Sequence, residues 1–161
     1  MKSKALFLDR DGIVNREIGR YILNINEFEL LPALVPFLQV AANKGYRFVL
    51  ITNQAGIAKG LYGHDLVNKC HQQLSDELTK HGLRFAAMYY CPHFPEFGEC
   101  LCRKPGSLMI EKALARFGFD AGSSLMIGDK QRDVDAAEAV GVPACLLPSN
   151  PDLSTLLACL P

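Results

Sequence analysis

Short apolar runs rich in β-forming residues punctuate the chain at 5–8, 48–52, 86–90, 125–127 and 144–147. Their continuity suits strands buried on both faces of a parallel sheet. Helix-period segments lie between them. Pro32 opens one that Gly45 ends, in the usual order of proline first and glycine last. Leu66, Val67, Cys70, Leu74 and Leu78 recur at helical spacing before Gly82 stops the second. Segments 107–117 and 134–140, closed by Gly118 and Gly141, predict a third and a fourth. This alternation predicts a three-layer αβα, Rossmann-like fold with right-handed crossovers. Ligands of such folds gather beyond the carboxyl ends of the strands, which is where the chemistry should lie.

The 161 residues suit one domain spanning 1–161, with at most a minimal cap over its site. Basic and acidic residues balance at 17 each, so no broad field favours nucleic acid or an anionic membrane. Any anion must be held by a local site. The first ten residues contain an apolar run of only four, too short for a secretory signal or for a span of roughly twenty apolar residues. A cytoplasmic, monomeric protein with reduced thiols is expected. The six cysteines are therefore read as core residues or metal ligands before disulfides. Cys70, Cys145 and Cys159 stand in apolar stretches and read as core. His64, His71 and His81, on or beside the second helix, read as exposed residues rather than catalysts.

The first strand ends in Asp9-Arg10-Asp11-Gly12. Residues two apart on extended backbone face the same way, so both carboxylates converge beyond the strand. Close carboxylates need a cation or a shared proton; the plainer alternative is an acidic Asp-Gly turn. After the fourth run comes Gly128-Asp129-Lys130-Gln131-Arg132-Asp133. Asp129 would complete an oxygen-rich site for a hard cation such as Mg²⁺, while Asp133 could equally cap the following helix. Thr52-Asn53 closes the second run and Lys104 lies in Arg103-Lys104-Pro105. A hydroxyl, an amide and an ammonium are suited to phosphoryl oxygens.

A separate cluster, Cys91-Pro92-His93 with Cys100-Leu101-Cys102, puts three thiols and an imidazole within twelve residues. Four such ligands are what a structural zinc site requires; the alternative is a loop of small buried cysteines.

Asp9-x-Asp11, Thr52-Asn53, Lys104-Pro105 and Gly128-Asp129-x-x-x-Asp133 together resemble the four motifs of the haloacid dehalogenase-like phosphatases, in order along nearly the whole chain. The resemblance implies that Asp9 is the nucleophile and Asp11 the general acid and base. It implies a Mg²⁺ held by the Asp9 carboxylate, the Asp11 carbonyl and Asp129, supported by Asp133. Thr52 and Lys104 would hold phosphoryl oxygens. The 91–102 loop before Arg-Lys-Pro resembles the zinc loop of the D,D-heptose 1,7-bisphosphate and histidinol-phosphate phosphatase groups, with Cys91, His93, Cys100 and Cys102 as ligands of a structural zinc.

The stretch 52–60 is more similar to the heptose group. The implied substrate is a small phosphorylated sugar, a heptose 1,7-bisphosphate losing its C7 phosphate; alternatives are histidinol phosphate, a broader range of metabolites, or a non-catalytic metal-binding module. Arg103, Asn53 and Gln54 would contact substrate, and a substrate loop would begin at 17–21 with Glu17 and Tyr21. Ile13, Ala55 and Lys59 depart from the family pattern, which usually has Thr or Val, Ser and Arg there. The lysine keeps the charge but loses the guanidinium fork.

Overall fold

The computed structural model describes residues 2–161; Met1, the first residue of the expected 1–161 domain, lies outside the described residues. Five strands form one parallel sheet: β1 (Lys4–Leu8), β2 (Tyr46–Asn53), β3 (Phe85–Cys91), β4 (Leu125–Gly128) and β5 (Ala144–Leu146). Their spatial order is β3-β2-β1-β4-β5. β1 is central, pairing through Leu6 with Phe48 on one side and Leu125 on the other.

Alternate residues of the inner strands feed two separate cores, as the period of two requires. Leu6, Leu8, Phe48, Leu50 and Ile127 pack on α1 (Leu34–Asn43), α2 (His64–Thr79) and a short α5 (Leu153–Leu157). Ala5, Phe7, Val49, Ile51 and Met126 face α3 (Leu108–Phe117) and α4 (Gln131–Glu138). Burial on both faces is why these strands read as unbroken apolar runs. Each enclosed Leu or Phe contributes roughly 1.5–3 kcal/mol.

The elements follow the predicted order, and four readings differ. The helix expected over 134–140 starts at Gln131, because the Asp133 carboxylate accepts from the Lys130 N–H at 3.1 Å and caps the turn. α5 went unpredicted; its five residues are too few to show a period, and Asp152 caps it by accepting from the Thr155 N–H. Cys145 and Cys159, expected as free core thiols, are joined in a disulfide, because β5 and the turn after α5 bring their Cα atoms to 6.1 Å. His71 also departs from expectation. It faces inward from α2 and is only 8% exposed.

Among the described residues no helix is long and apolar enough to cross a membrane.

Candidate active site and metal centre

β1 sits where the sheet order reverses, between β2 and β4, so its carboxyl end opens into the crevice of the fold. Asp9 is the first residue past the strand, and its N–H donates to the Ile127 carbonyl at 3.1 Å. The chain then wraps around the Arg10 carbonyl, which accepts from the N–H groups of Ile13, Val14 and Asn15. Gly12 makes the turn possible. Its φ is +91°, and a Cβ there would lie 2.5 Å from Asp129 Oδ2.

Lys104 is 1% exposed and reaches the foot of the site. Its Nζ donates to Asp9 Oδ1 at 2.7 Å and to the Ile51 carbonyl at 2.8 Å, and it pairs with Asp133 Oδ1 at 2.7 Å. Burial alone would lower the Lys104 pKa, but the charges of Asp9 and Asp133 outweigh it and hold the ammonium above its ordinary range. Asp9 is pushed up to about 7, because desolvation outweighs the attraction of Lys104. Asn53 fixes the lysine's backbone. Its amide donates to the Lys104 carbonyl and accepts from the Lys104 N–H, both at 3.0 Å.

Asp129, on the turn after β4, completes an acidic group. Ligand oxygens of Asp9, Asp129 and Asp133 all lie within 4.8 Å of one another. Ser149 Oγ donates to Asp129 Oδ2 at 2.5 Å and Lys130 Nζ lies 3.2 Å from it. Asp129 Oδ1 is buried and has no hydrogen-bond partner among the described residues. A buried carboxylate oxygen left bare beside two further carboxylates is the donor set of a hard divalent cation, so the residues fit a metal. The Asp11 side chain stands outside this group.

Asp11 is instead held by three residues. Arg10 grips it with Nη2 at 2.9 and 3.2 Å, Asn15 Nδ2 donates at 2.9 Å and Gln54 Nε2 at 3.0 Å. Burial raises the Asp11 pKa, but the Arg10 charge and these hydrogen bonds outweigh it and hold the carboxyl below its usual range. Arg10 is 2% exposed and lies over the Phe28 ring. Gln54 also donates to Thr52 Oγ1 at 2.8 Å and accepts from Tyr62 Oη at 2.7 Å. Arg10 and Asn15 were missed in the sequence. An arginine placed between two carboxylates was the signal available.

A cleft of about 570 Å³ opens over these groups, lined by Asp9, Asp11, Asn53, Gln54, Asp129 and, from the 17–22 segment, Glu17 and Tyr21. Arg20, Lys130 and Arg132, also missed, complete its rim. Arg103 lines a neighbouring cavity on the 91–102 loop, with its guanidinium near Phe94. Of the departures from the family pattern, Ile13 and Ala55 are buried and Lys59 Nζ sits 4.1 Å from the Phe94 ring centroid and 5.1 Å from that of Tyr21.

Cys91, His93, Cys100 and Cys102 converge at the end of β3, with all four ligand atoms within 4.8 Å. Cys91 Sγ is 3.0 Å from Cys102 Sγ, and His93 Nδ1 is 3.2 Å from Cys102 Sγ. The Gln54 N–H donates to the Cys91 carbonyl at 2.7 Å, so this cluster adjoins the segment that holds Asp11.

Residues 101–155 match the family model described as HAD-hydrolase-like. A protein of Photorhabdus laumondii named D-glycero-alpha-D-manno-heptose-1,7-bisphosphate 7-phosphatase is 38% identical over 156 residues, covering 91% of this chain and 82% of that one. One of Haemophilus ducreyi, named for the beta anomer, is 38% identical over 148 residues, 88% of this chain and 81% of the other. Among solved structures, a D,D-heptose 1,7-bisphosphate phosphatase from B. bronchiseptica, complexed with magnesium and phosphate, is similar with a TM-score of 0.84. It is 31% identical, over 96% of this chain and 86% of that one.

Proposed function

The chain belongs to the HAD-like hydrolase family and is a phosphatase, and we propose that it removes the C7 phosphate of a D-glycero-D-manno-heptose 1,7-bisphosphate through an aspartyl-phosphate at Asp9. The names of its relatives support the substrate. The observation that carries the mechanism is the buried Asp9–Lys104–Asp133 group opening on the cleft beside Asp11.

Lys104 takes Asp9 Oδ1, which orients the carboxylate and leaves its second oxygen for attack on phosphorus. In the first half-reaction that Asp9 oxygen bonds to phosphorus, the ester P–O bond breaks, and a protonated Asp11 gives its proton to the departing alkoxide. In the second, water attacks phosphorus, its proton passes to Asp11, and Asp9 leaves as a carboxylate while inorganic phosphate is released. The donors around Asp11 favour its carboxylate form, so they serve the second half. Thr52 and Lys104 stabilise phosphoryl oxygens as charge spreads over them. Asn53 keeps Lys104 in register, and Gln54 links Thr52 to Asp11.

Asp9, Asp129 and the Asp11 carbonyl would hold magnesium, with Asp133 behind them. Magnesium bound there neutralises phosphate charge so that a dianion can approach a carboxylate. Cys91, His93, Cys100 and Cys102 would hold a structural zinc that shapes the loop presenting Arg103 and Lys104. Arg103, Glu17 and Tyr21 would contact the sugar and its remote phosphate.

The test is phosphate release with magnesium from both heptose bisphosphate anomers, fructose 1,6-bisphosphate and histidinol phosphate. A heptose bisphosphate should be preferred, and Asp9→Asn should be inactive while remaining folded. Undiminished release by Asp9→Asn would sink the mechanism; preference for histidinol phosphate would overturn the substrate.

A further inference from the structure

The corner after β5, Ser149-Asn150, touches three parts of the site at once. Asn150 has φ of 59°, a left-handed conformation that asparagine adopts more readily than most residues. Its N–H donates to the Gly12 carbonyl at 2.8 Å. Its side chain meets the main chain of Glu17 twice: the Glu17 N–H donates to Oδ1 at 2.7 Å, and Nδ2 donates to the Glu17 carbonyl at 3.1 Å. One residue earlier, Ser149 Oγ holds the metal-facing Asp129. The corner thus binds the nucleophile turn, the acidic group and the start of the 17–22 segment.

Ile22 packs into the core and Tyr21 lies against Tyr62 and Lys59, but few hydrogen bonds hold the segment's backbone. Arg16 is still paired with Glu29 through backbone, but beyond it the hydrogen bonds are local: Gly19 to the Glu17 carboxylate, Arg20 to Glu27, Leu23 to Glu27. Among the described residues, no hydrogen bond other than those of Asn150 joins 17–22 to anything beyond residue 27. Glu17 and Tyr21 nevertheless form one wall of the cleft.

We propose that Asn150 is a positioning residue for substrate selection: it latches the 17–22 wall to the Gly12 turn and so sets the distance between the sugar's contacts and the attacked phosphorus. The inference rests on reading this cleft as the sugar-phosphate site. Asn150 lines neither the cleft nor the acidic group, so it acts through Glu17 and not on the reacting atoms. Holding the wall in place before the sugar arrives spares binding the cost of ordering it, so loss of the latch falls on substrate affinity.

The experiment uses two variants of the full chain. Asn150→Gly keeps the left-handed backbone accessible and removes both side-chain bonds; Asn150→Asp keeps the acceptor for the Glu17 N–H. In Asn150→Gly, KM for the heptose bisphosphate should rise about tenfold, the worth of roughly one or two net hydrogen bonds, with kcat changed less than about twofold. Asn150→Asp should recover a large part of the loss. Amide hydrogen exchange, measured without substrate, should show the Glu17 N–H losing protection in Asn150→Gly. Unchanged KM with unchanged Glu17 protection would overturn the proposal. So would a parallel fall of melting temperature and kcat with KM unmoved, which would mark a merely structural residue. If the wild type ignores heptose bisphosphate, the substrate reading fails, while Glu17 exchange in Asn150→Gly still decides the latch.

Discussion

Replacing Lys104 by methionine tests the electrostatic centre of the site. The side chains are similar in length, so packing changes little, and the perturbation is the removal of one positive charge from a position 1% exposed. Two carboxylates, Asp9 and Asp133, each lose a partner at 2.7 Å, and the Ile51 carbonyl loses a donor at 2.8 Å. Breaking a buried ion pair from one side costs about 3–5 kcal/mol, because a buried charge is left uncompensated. The sign of the pH dependence follows from Asp9. In the intact protein its pKa is raised from 3.8 to about 7 by burial, against the pull of Lys104. Without that pull it rises further. A carboxyl whose folded pKa lies above its unfolded value contributes stability below the unfolded pKa and loses it as pH rises through the folded one. The deficit of Lys104→Met relative to wild type should therefore be largest near pH 8 and smaller near pH 5.5, where protons take over the lost role. Urea unfolding in magnesium-free buffer at the two pH values measures it. A deficit below about 1 kcal/mol that is the same at both would refute the account of Lys104 as the charge that holds these carboxylates together.

Two further outcomes follow from other parts of the molecule. His71 is held neutral, its pKa lowered from 6.5 to about 4 chiefly by burial and then by Arg10, and its Nε2 has no partner among the described residues. The unfolded chain binds a proton there between those values and the folded one does not, so folding should weaken by up to roughly 3 kcal/mol from pH 6.5 to 4. His71→Gln should flatten that part of the acid limb; equal acid losses in both proteins would remove His71 as its source. Protein purified without chelator should carry about one zinc per chain, and Cys102→Ser should lower that content. No zinc, together with free alkylation of Cys91 in the folded state, would dismiss the metal.

The sheet was legible because its inner strands lie in a doubly covered layer, where burial forces continuous apolar runs, as in β1 and β4. The candidate site residues stand at strand ends for a related reason: Asp9 and Asp129 follow such runs and Thr52 closes one. What escaped were polar groups whose meaning depends on a distant partner. Ser149 and Asn150 look like an ordinary turn until Asp129 and Glu17 are brought against them. Arg10 looks like a surface charge until Phe28 and Asp11 enclose it. The Cys145–Cys159 pairing was hidden likewise, since both cysteines suit a core and only the return of the chain past α5 joins them. His71 could have been recognised: it lies one residue beyond Cys70, on the edge of the apolar stripe of α2, and a stripe of that width takes in its flank.

The central place of β1 has a consequence for how the protein is made. The strand is made well before one of its two neighbours, β4 (Leu125–Gly128), with residues 9–124 between them. Until then one edge of β1 has no partner, and the nascent chain exposes the apolar run Ala5–Leu8. β1, β2 and β3 can pair meanwhile, but a chain stopped there lacks Lys104, Asp129 and Asp133. The Asp9–Lys104 contact alone joins residues 95 apart. Such sequence-distant pairing raises contact order and slows folding. It also means that the buried Asp9–Lys104–Asp133 group assembles only after the sequence through Asp133 has been made.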